Sequence, residues 1–257
     1  MPTTAKYSEN IPDSLCSTRY RTNHLMYKIE ITLFIKEKMN SLDGILKRLH
    51  QLVQLYTEEN GSTNWFLTGK NKEDAMTKLI FHGSEITSNA MQLLTKKLPD
   101  FPLAGTRIWS GNDDSIEFEN YIQSDIACFQ YRMVHYATNE KNALSFTSQI
   151  ALKIIDKIEP HIFQLETNGY SLHESQVFPD RLPVGWMFYI DKSYDEKVLN
   201  LSKQMHSINR EGQPVGTLFV TKRDFFDGSN KADITLSNDL EIALVAHDIL
   251  PTYKKIF

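Results

Sequence analysis

The amino-acid sequence predicts an α+β fold, in which mixed or antiparallel sheets carry amphipathic helices. Several stretches alternate apolar and polar residues, as half-buried strands do, and others repeat apolar residues every three or four positions, as helices do. The 257 residues are 41% hydrophobic and 23% charged, which is close to the average of globular domains. We therefore expect a substantial core, in one large domain or in two small domains that pack closely.

Strands and helices alternate through the first half of the chain. Residues 25–35 alternate as a strand does. A helix follows from Leu42, with Asn40 or Ser41 available as its N-cap and Asn60-Gly61 at its end. Beyond this helix we expect, in chain order, a strand at Trp65–Thr68, helices over Lys72–Phe81 and Thr87–Leu98, a strand at Thr106–Trp109, and a hairpin of strands Ser115–Ile122 and Ile126–Tyr136.

The second half shows a similar alternation after one ambiguous segment. Residues Leu144–Ile158 fit a helical face, although their β-branched residues also favour a strand, and we assign a helix. The stretch after Pro160 is looser and contains Gly169 and two further prolines. The elements expected after it are a strand at Val184–Ile190, a helix over Tyr194–Ile208, a strand at Gly216–Thr221 and a buried helix over Asn238–Leu250.

The order strand, helix, strand occurs over residues 25–68 and again over residues 184–221, which suggests two strand-helix-strand subdomains. The loose stretch after Pro160 is the expected joint between them. The predicted organisation is a flexible N-terminal arm at residues 1–22, an N-terminal α+β subdomain at 23–160 and a C-terminal α+β subdomain at 161–257. We expect the two subdomains to pack as one globular unit.

Composition and charge narrow the classes of function. A formal charge of −4 and a pI near 6.1 argue against a protein that binds nucleic acid by neutralising phosphates. No apolar run approaches the roughly 20 residues of a membrane span, and the N-terminus has no secretory apolar segment. Two cysteines, Cys16 and Cys128, make a disulfide framework improbable, so we expect reduced thiols and a cytoplasmic location.

The sequence contains no common catalytic, cofactor or metal-binding motif. The eight histidines lack the spacing of three or four that places two ligands on one helical face, and neither a glycine-rich phosphate loop nor a Gly-x-Ser-x-Gly turn occurs. We therefore expect no catalytic residue, cofactor or metal. One alternative stays open, because Asp180 followed by Asp195 and Lys197 resembles the carboxylate and lysine pattern of metal-dependent nucleases.

A cluster of acidic residues is the best candidate for a binding surface. No lysine or arginine lies between Arg107 and Arg132, whereas that interval holds Asp113, Asp114, Glu117, Glu119 and Asp125. Tyr121 falls on the same strand face, and Trp109 stands at its start, so both are candidate aromatic anchors. The cluster is either a solvated face or a negative patch that steers a basic partner. The predicted partner-binding residues are Asp113, Asp114, Glu117, Glu119 and Tyr121.

Four stretches with this order and spacing resemble the immunity protein 52 family of bacterial polymorphic toxin systems. They are Trp65–Gly69 followed by Lys72–Ala75, Ile108–Gly111, Gly185–Tyr189 and Val215–Thr221, and with the preceding strand and helix the resemblance spans about residues 25–251. Ser110 departs from the asparagine that the family often carries. None of these stretches is a catalytic signature, and we expect their tryptophans to be architectural, each tying its indole N–H to a partner.

The resemblance implies an α+β protein encoded beside a toxin, which it binds and neutralises in the cytoplasm. Such toxins are often restriction-endonuclease-like nucleases delivered by a secretion system such as type VI. The predicted partner is therefore a cognate toxin, with no direct binding to nucleic acid or membrane, and a homodimer stays possible. Reversing the charges of Asp113, Asp114, Glu117 and Glu119 is predicted to weaken toxin binding. The alternatives are a metal-dependent nuclease or other hydrolase and a scaffold without a toxin partner.

Overall fold

Eleven strands in the described part of the chain form a single sheet in which every neighbouring pair runs antiparallel. The computed structural model describes residues 26–37, 41–61, 63–101, 105–123, 126–195, 201 and 204–256, and for residues 121–123 and 126–128 it describes the backbone alone. The predicted N-terminal arm, with Cys16, lies outside these residues. The α+β prediction is confirmed.

The strands follow a sheet order that departs strongly from their order in the chain. That sheet order is β10-β11-β9-β8-β1-β7-β6-β5-β2-β3-β4. Their bounds are β1 Tyr27–Glu37, β2 Trp65–Leu67, β3 Leu79–His82, β4 Glu85–Ile86, β5 Thr106–Trp109, β6 Ser115–Gln123, β7 Ile126–Ala137, β8 Ile162–Thr167, β9 Met187–Ile190, β10 Met205–Arg210 and β11 Gln213–Val220. Strand β1 lies at the centre, between β7 and β8, so it joins the two halves of the chain in one sheet.

Five helices lie within the described residues, and polar side chains cap most of their first turns. They are α1 Leu42–Asn60, α2 Lys72–Met76, α3 Ala90–Lys97, α4 Glu140–Ile158 and α5 Lys231–Ala246. Ser41 caps α1 by accepting a hydrogen bond from the Gly44 N–H, and Asn139 caps α4 in the same way. A 3₁₀ turn at Tyr253–Lys255 follows α5. No described helix is long and apolar enough to cross a membrane.

One face of the sheet, the helix-packed face, is buried under α1, α3 and α4. Alternate residues of β1, from Ile29 to Ile35, point into this layer, where they meet the apolar stripes of α1 and α4. Tyr131 and Met133 on β7 continue the layer, as the two-residue period of a strand requires. Burial of side chains of this size stabilises the fold by roughly 1.5 to 3 kcal/mol each, so this layer is the main core.

The opposite face of the sheet is divided into two halves. On β9, β11 and at Ile162 of β8 it is mainly apolar and lies under α5 and the residues that follow α5. This covered half has a core of its own, formed by Phe34, Ile162, Leu182, Val184, Phe188, Ile190, Met205, Phe219, Leu240, Leu244, Ile249, Leu250 and Ile256. On β5, β6 and β7 the same face carries Arg107, Glu117, Glu119, Gln130 and Arg132, all at least partly exposed. We call these five residues the open face.

Two predicted helices are wrong in part, because strand pairing overrides local periodicity. The helix predicted over Lys72–Phe81 ends at Met76, and β3 then pairs with β2, which buries Ile80 and Phe81 in the sheet. The helix predicted over Tyr194–Ile208 is contradicted at its end, since Met205 begins β10 and pairs with Phe219. Residues 196–200 and 202–203 of that prediction lie outside the described residues.

Two further elements differ from the sequence prediction. The loose stretch after Pro160 contains β8, whose six residues are all buried between β1 and β9. The last helix begins at Lys231 rather than at Asn238, because Asn230 caps it by accepting from the N–H groups of Ala232 and Asp233. Other predicted strands and helices, including β1, α1, α4 and the β6–β7 hairpin, are confirmed.

The three tryptophans differ in how their indole N–H groups are paired. Trp186 is fully buried and donates from Nε1 to the Lys222 carbonyl at 3.1 Å. Trp109 donates to the Asn112 carbonyl. Trp65 is also fully buried, but its Nε1 has no hydrogen-bond partner within the described part of the chain. The expectation of a partner for each indole therefore fails at Trp65, where the ring packs edge-on against Tyr56.

Candidate functional site

The open face carries a row of charged side chains that strand register places side by side. Arg107 on β5 is opposite Glu117 on β6, and Glu117 is opposite Arg132 on β7. The row continues to Thr32 on β1, which is opposite Arg132. Because directly opposite residues on one face of a sheet lie about 4.5 to 5.5 Å apart at Cβ, the register alone brings these charges together.

Glu117 accepts hydrogen bonds from both arginines of this row. Its Oε2 lies 3.1 Å from Nη2 of Arg107 and 3.1 Å from Nε of Arg132. Partial burial raises the pKa of Glu117, but hydrogen bonds and charge from Arg132 and Arg107 outweigh burial, so its pKa is lowered from the usual value. The row is therefore a fixed pattern of positive, negative and positive charge at neutral pH.

The sequence predicts an acidic patch, but in the structure Glu117 at its centre is paired with two arginines. Arg107 and Arg132 flank the patch in sequence, yet the antiparallel strands fold both of them onto Glu117. Glu119, two residues further along β6, stays exposed, and Asp113 is exposed in the turn before β6. The surface thus holds both partly buried and exposed carboxylates, and the exposed ones are Asp113 and Glu119.

Asp114 belongs to a different environment from Glu117. Its Oδ1 lies 3.0 Å from Nδ1 of His135 and accepts from the backbone N–H of Tyr136 at 3.1 Å. The Tyr56 hydroxyl lies 3.2 Å from the same Nδ1, and the His135 ring packs against Phe146 of α4. Asp114 therefore ties the β5–β6 turn to the helix-packed side of the sheet. It does not lie beside Glu117 on the open face.

Burial and hydrogen bonding oppose each other in setting the pKa of Asp114. Burial raises this pKa, whereas the hydrogen bond and charge of His135, the Tyr56 hydroxyl and the Tyr136 N–H lower it. The lowering interactions prevail, so the pKa of Asp114 lies below its usual value and the group is ionised at neutral pH. A carboxylate with these partners holds the turn in place.

The two aromatic candidates lie at the edge of this surface. Trp109 is half-buried, with its ring 6.3 Å from the Phe66 ring and Lys72 Nζ 5.8 Å from its centroid. It can therefore present one edge to a partner while its other contacts hold it. Tyr121 lies on β6, opposite Cys128 on β7, and its side chain is outside the described part of the structure.

Beside the open face lies a cavity of about 190 Å³ between β1, β7, β8 and the segment that follows β8. We call it the Glu166 cavity. Its lining consists of Glu30, Thr32, Phe34, Gln130, Arg132, Gln164, Glu166, Ser171, Leu182, Pro183 and Tyr253. Glu30 and Glu166 are directly opposite each other on β1 and β8. Both carboxylates are buried, with 8% and 6% of their surfaces exposed.

The two carboxylates of the cavity have different partners. Glu30 forms an ion pair with Lys28, in which Lys28 Nζ lies 2.8 Å from Glu30 Oε2. Glu166 Oε1 accepts from the Ser171 hydroxyl at 2.7 Å, but its buried Oε2 has no hydrogen-bond partner among the described residues. Burial, with the charge of Glu30, outweighs the Ser171 hydrogen bond and raises the pKa of Glu166 to about 7.

Sequence reasoning missed this cavity because it missed β8. Ile162, Gln164 and Glu166 alternate with Phe163, Leu165 and Thr167, so the two-residue period of a strand was present. The nearby prolines and glycine outweighed that signal. Which strand β8 joins is a long-range feature, and no local pattern predicts that Glu166 faces Glu30.

The residues of the nuclease alternative do not form a described site. Asp180 lies exposed in a turn, where its carbonyl accepts from the Tyr253 N–H, and Asp195 is also exposed. Lys197 lies outside the described residues. In the part of the chain that the structure describes, no three or more histidine, cysteine or carboxylate groups are placed to hold a metal ion.

Comparison with solved structures finds a likeness of fold. No protein-family model and no curated protein matches the chain. Among solved structures, its fold is similar to the Pseudomonas aeruginosa T6SS protein PA0821, with a TM-score of 0.50 and 11% sequence identity over 85% of this chain and 76% of that chain. At this identity the likeness concerns the fold alone.

Proposed function

We propose that this protein is an immunity protein that binds and neutralises a cognate bacterial toxin in the cytoplasm. In this proposal the toxin is an effector of a type VI secretion system with nuclease activity, and the protein acts by occupying a surface of it rather than by catalysis. The sequence resemblance to the immunity protein 52 family supports the role. The fold likeness to a T6SS protein is compatible with the same setting.

The observation that carries the proposal is the charged row Arg107, Glu117, Arg132 on the open face. Strand pairing and the two ion pairs hold these side chains in place before any partner arrives, so little side-chain entropy is lost on binding. A rigid, half-exposed pattern of both signs favours one orientation of a partner and disfavours others. This is the property that a one-to-one inhibitor of a single toxin needs.

The exposed carboxylates explain why a nuclease is the proposed target. A nuclease groove is basic because it binds phosphates, and Asp113 and Glu119 offer negative charge of the same kind. Long-range attraction between such surfaces speeds association and weakens as salt increases. The proposal therefore includes an association rate that falls with ionic strength.

Co-expression tests the role directly. The gene is expressed with each toxin-like neighbouring gene, and rescue from growth arrest is scored. The wild-type protein is expected to rescue growth against one neighbour and to form a one-to-one complex with its toxin. Failure to rescue growth or to bind against every neighbouring toxin would reject the immunity role.

Charge reversal then tests the surface. The variant Asp113→Lys with Glu119→Lys keeps the structural carboxylates Asp114 and Glu117, so it probes binding without removing their contacts. We expect it to weaken the complex by about tenfold or more and to reduce its salt dependence. Glu85→Lys is the matched control, since Glu85 is exposed on β4 at the far edge of the sheet. Equal affinity of both variants would exclude this surface.

A further inference from the structure

The Glu166 cavity lies where the covered half and the open face meet. Arg132 and Gln130 belong both to the open face and to the cavity wall, so a partner docked on the open face reaches its entrance. Phe34, Leu182 and Pro183 supply apolar walls, and Glu30 and Glu166 supply the charged end. A volume of about 190 Å³ equals about six water molecules at roughly 30 Å³ each, which is enough for the end of one long side chain.

Glu166 has an unused acceptor in this cavity. Its Oε2 is buried and has no hydrogen-bond partner among the described residues, while the whole residue is only 6% exposed. Buried acceptors are normally satisfied, because an unpaired one keeps the full cost of its desolvation. Glu166 Oε2 can therefore accept a hydrogen bond from a donor that is not among the described residues.

The neighbouring cations already pair with carboxylates other than Glu166. Lys28 pairs with Glu30 at 2.8 Å, and Arg132 donates from Nε to Glu117 at 3.1 Å. Glu166 has no ion-pair partner among the described residues, although its pKa of about 7 leaves it partly ionised at neutral pH. A cation placed between Glu30 and Glu166 would favour the ionised form of Glu166 and donate hydrogen bonds to its unused lone pairs.

We propose that the Glu166 cavity receives a cationic side chain, lysine or arginine, from the partner protein. This inference rests on the proposed function and names the chemistry by which the toxin is recognised. The alkyl stem of the guest lies along Phe34, Leu182 and Pro183, as long basic side chains do on apolar surface. Its terminal N–H groups donate charge-assisted hydrogen bonds to Glu166 Oε2 and to Glu30.

Small cations test the cavity without any toxin. The ¹⁵N-labelled full chain is titrated with N-ethylguanidinium, and amide shifts of β1 and β8 are followed by NMR. Saturable shifts at these strands, with a dissociation constant on the order of millimolar, are expected for so small a guest. Glu166→Gln is expected to weaken binding of the probe by about tenfold or more, because it removes a charge-assisted hydrogen bond. Glu30→Gln is the second variant, and Glu85→Gln is the control.

The outcomes separate the cation from other guests. N-ethylurea has nearly the same shape without the charge, so equal binding of urea and guanidinium would overturn the proposal. Binding that Glu166→Gln and Glu30→Gln leave unchanged would overturn it as well. A micromolar constant for the free probe would assign the cavity to a small-molecule cation instead of a partner side chain, and would also overturn it.

The affinity of the toxin complex tests the cavity a second time. Once a toxin is identified by growth rescue, Glu166→Gln is expected to weaken its complex by about tenfold, whereas Glu85→Gln leaves affinity unchanged. If the wild-type protein does not bind the probe but still rescues growth, the cavity proposal is rejected and the immunity role stands. Probe binding without rescue by any neighbouring toxin would reject the immunity role and, with it, the partner assigned to the cavity.

Discussion

The two halves of the second sheet face belong to different strands and differ in character. On β9, β11 and at Ile162 of β8 the residues that point to this face are mainly apolar and lie under α5, as Phe188 and Phe219 do. On β5, β6 and β7 the corresponding positions hold Arg107, Glu117 and Arg132, and no described helix covers them. If the proposed function holds, a sheet face with one buried half and one charged half separates stability from partner recognition.

The energetic consequence of this division can be measured. Substitutions in the covered half are expected to act on folding, and those in the open half on partner binding. The Glu166 cavity lies on the border, where a buried carboxylate costs stability and supplies an acceptor.

The largest effect is expected in the covered half. Phe188→Ala removes a fully buried ring from the core under α5, and the cavity it leaves cannot close completely. We expect the free energy of unfolding to fall by about 3 to 5 kcal/mol, measured by chemical denaturation. Gln130→Ala on the open face is the matched truncation and is expected to change it by less than about 1 kcal/mol. Similar losses in both variants would contradict the division into two halves.

At the border between the two halves, Glu166 is expected to make the stability of the protein depend on pH. The pKa of Glu166 is raised from 4.5 to about 7 in the folded chain, so the folded state binds its proton more tightly than the unfolded state. The stabilising contribution is complete below about pH 4.5 and is lost as pH rises through about 7. At about 1.4 kcal/mol per pKa unit, the loss amounts to about 3 kcal/mol.

Glu166→Gln isolates this contribution, because it keeps the shape of the side chain and removes the titration. The difference in unfolding free energy between variant and wild type is expected to move in favour of the variant between pH 5 and pH 8. Denaturant unfolding at several pH values measures it, and Glu85→Gln serves as the exposed control. A difference that stays constant over this range would show that Glu166 titrates normally.

The smallest effect on stability is expected from the open face itself. Glu117 and Arg132 form an ion pair whose side chains are 23% and 41% exposed, so solvent screens it. A double-mutant cycle with Glu117→Ala and Arg132→Ala is expected to give a coupling of about 1 kcal/mol or less for folding. The same cycle on the toxin complex should give a larger coupling. If the coupling energies for folding and for toxin binding are equal, the Glu117–Arg132 pair contributes to the fold alone.

Much of the local structure was predictable from the sequence because its causes are local. The alternation of β1, the apolar stripe of α1 and the Ser41 cap all depend on residues within a few positions of each other. The hairpin of β6 and β7 followed in the same way from two adjacent alternating stretches. These elements form within about two residues of the bounds that periodicity and capping indicate.

The partners of the site residues were not predictable, because they depend on contacts between distant parts of the chain. Glu117 belonged to a negative patch in sequence, and only the pairing of β5, β6 and β7 brings two arginines onto it. Asp114 was grouped with Glu117, yet it points to His135 on the helix-packed side. Segments 79–82 and 205–210 became strands because a neighbouring strand offered hydrogen bonds and burial.

The sequence by itself determined the α+β class, a strand near residues 25–35, the two long helices and the presence of acidic residues between Arg107 and Arg132. Tertiary structure alone decided which charges meet and which stay exposed, and it created the cavity where Glu30 faces Glu166 across β1 and β8. The physical reason is range. Periodicity and capping act over a few residues, whereas strand register joins positions that here lie more than a hundred residues apart.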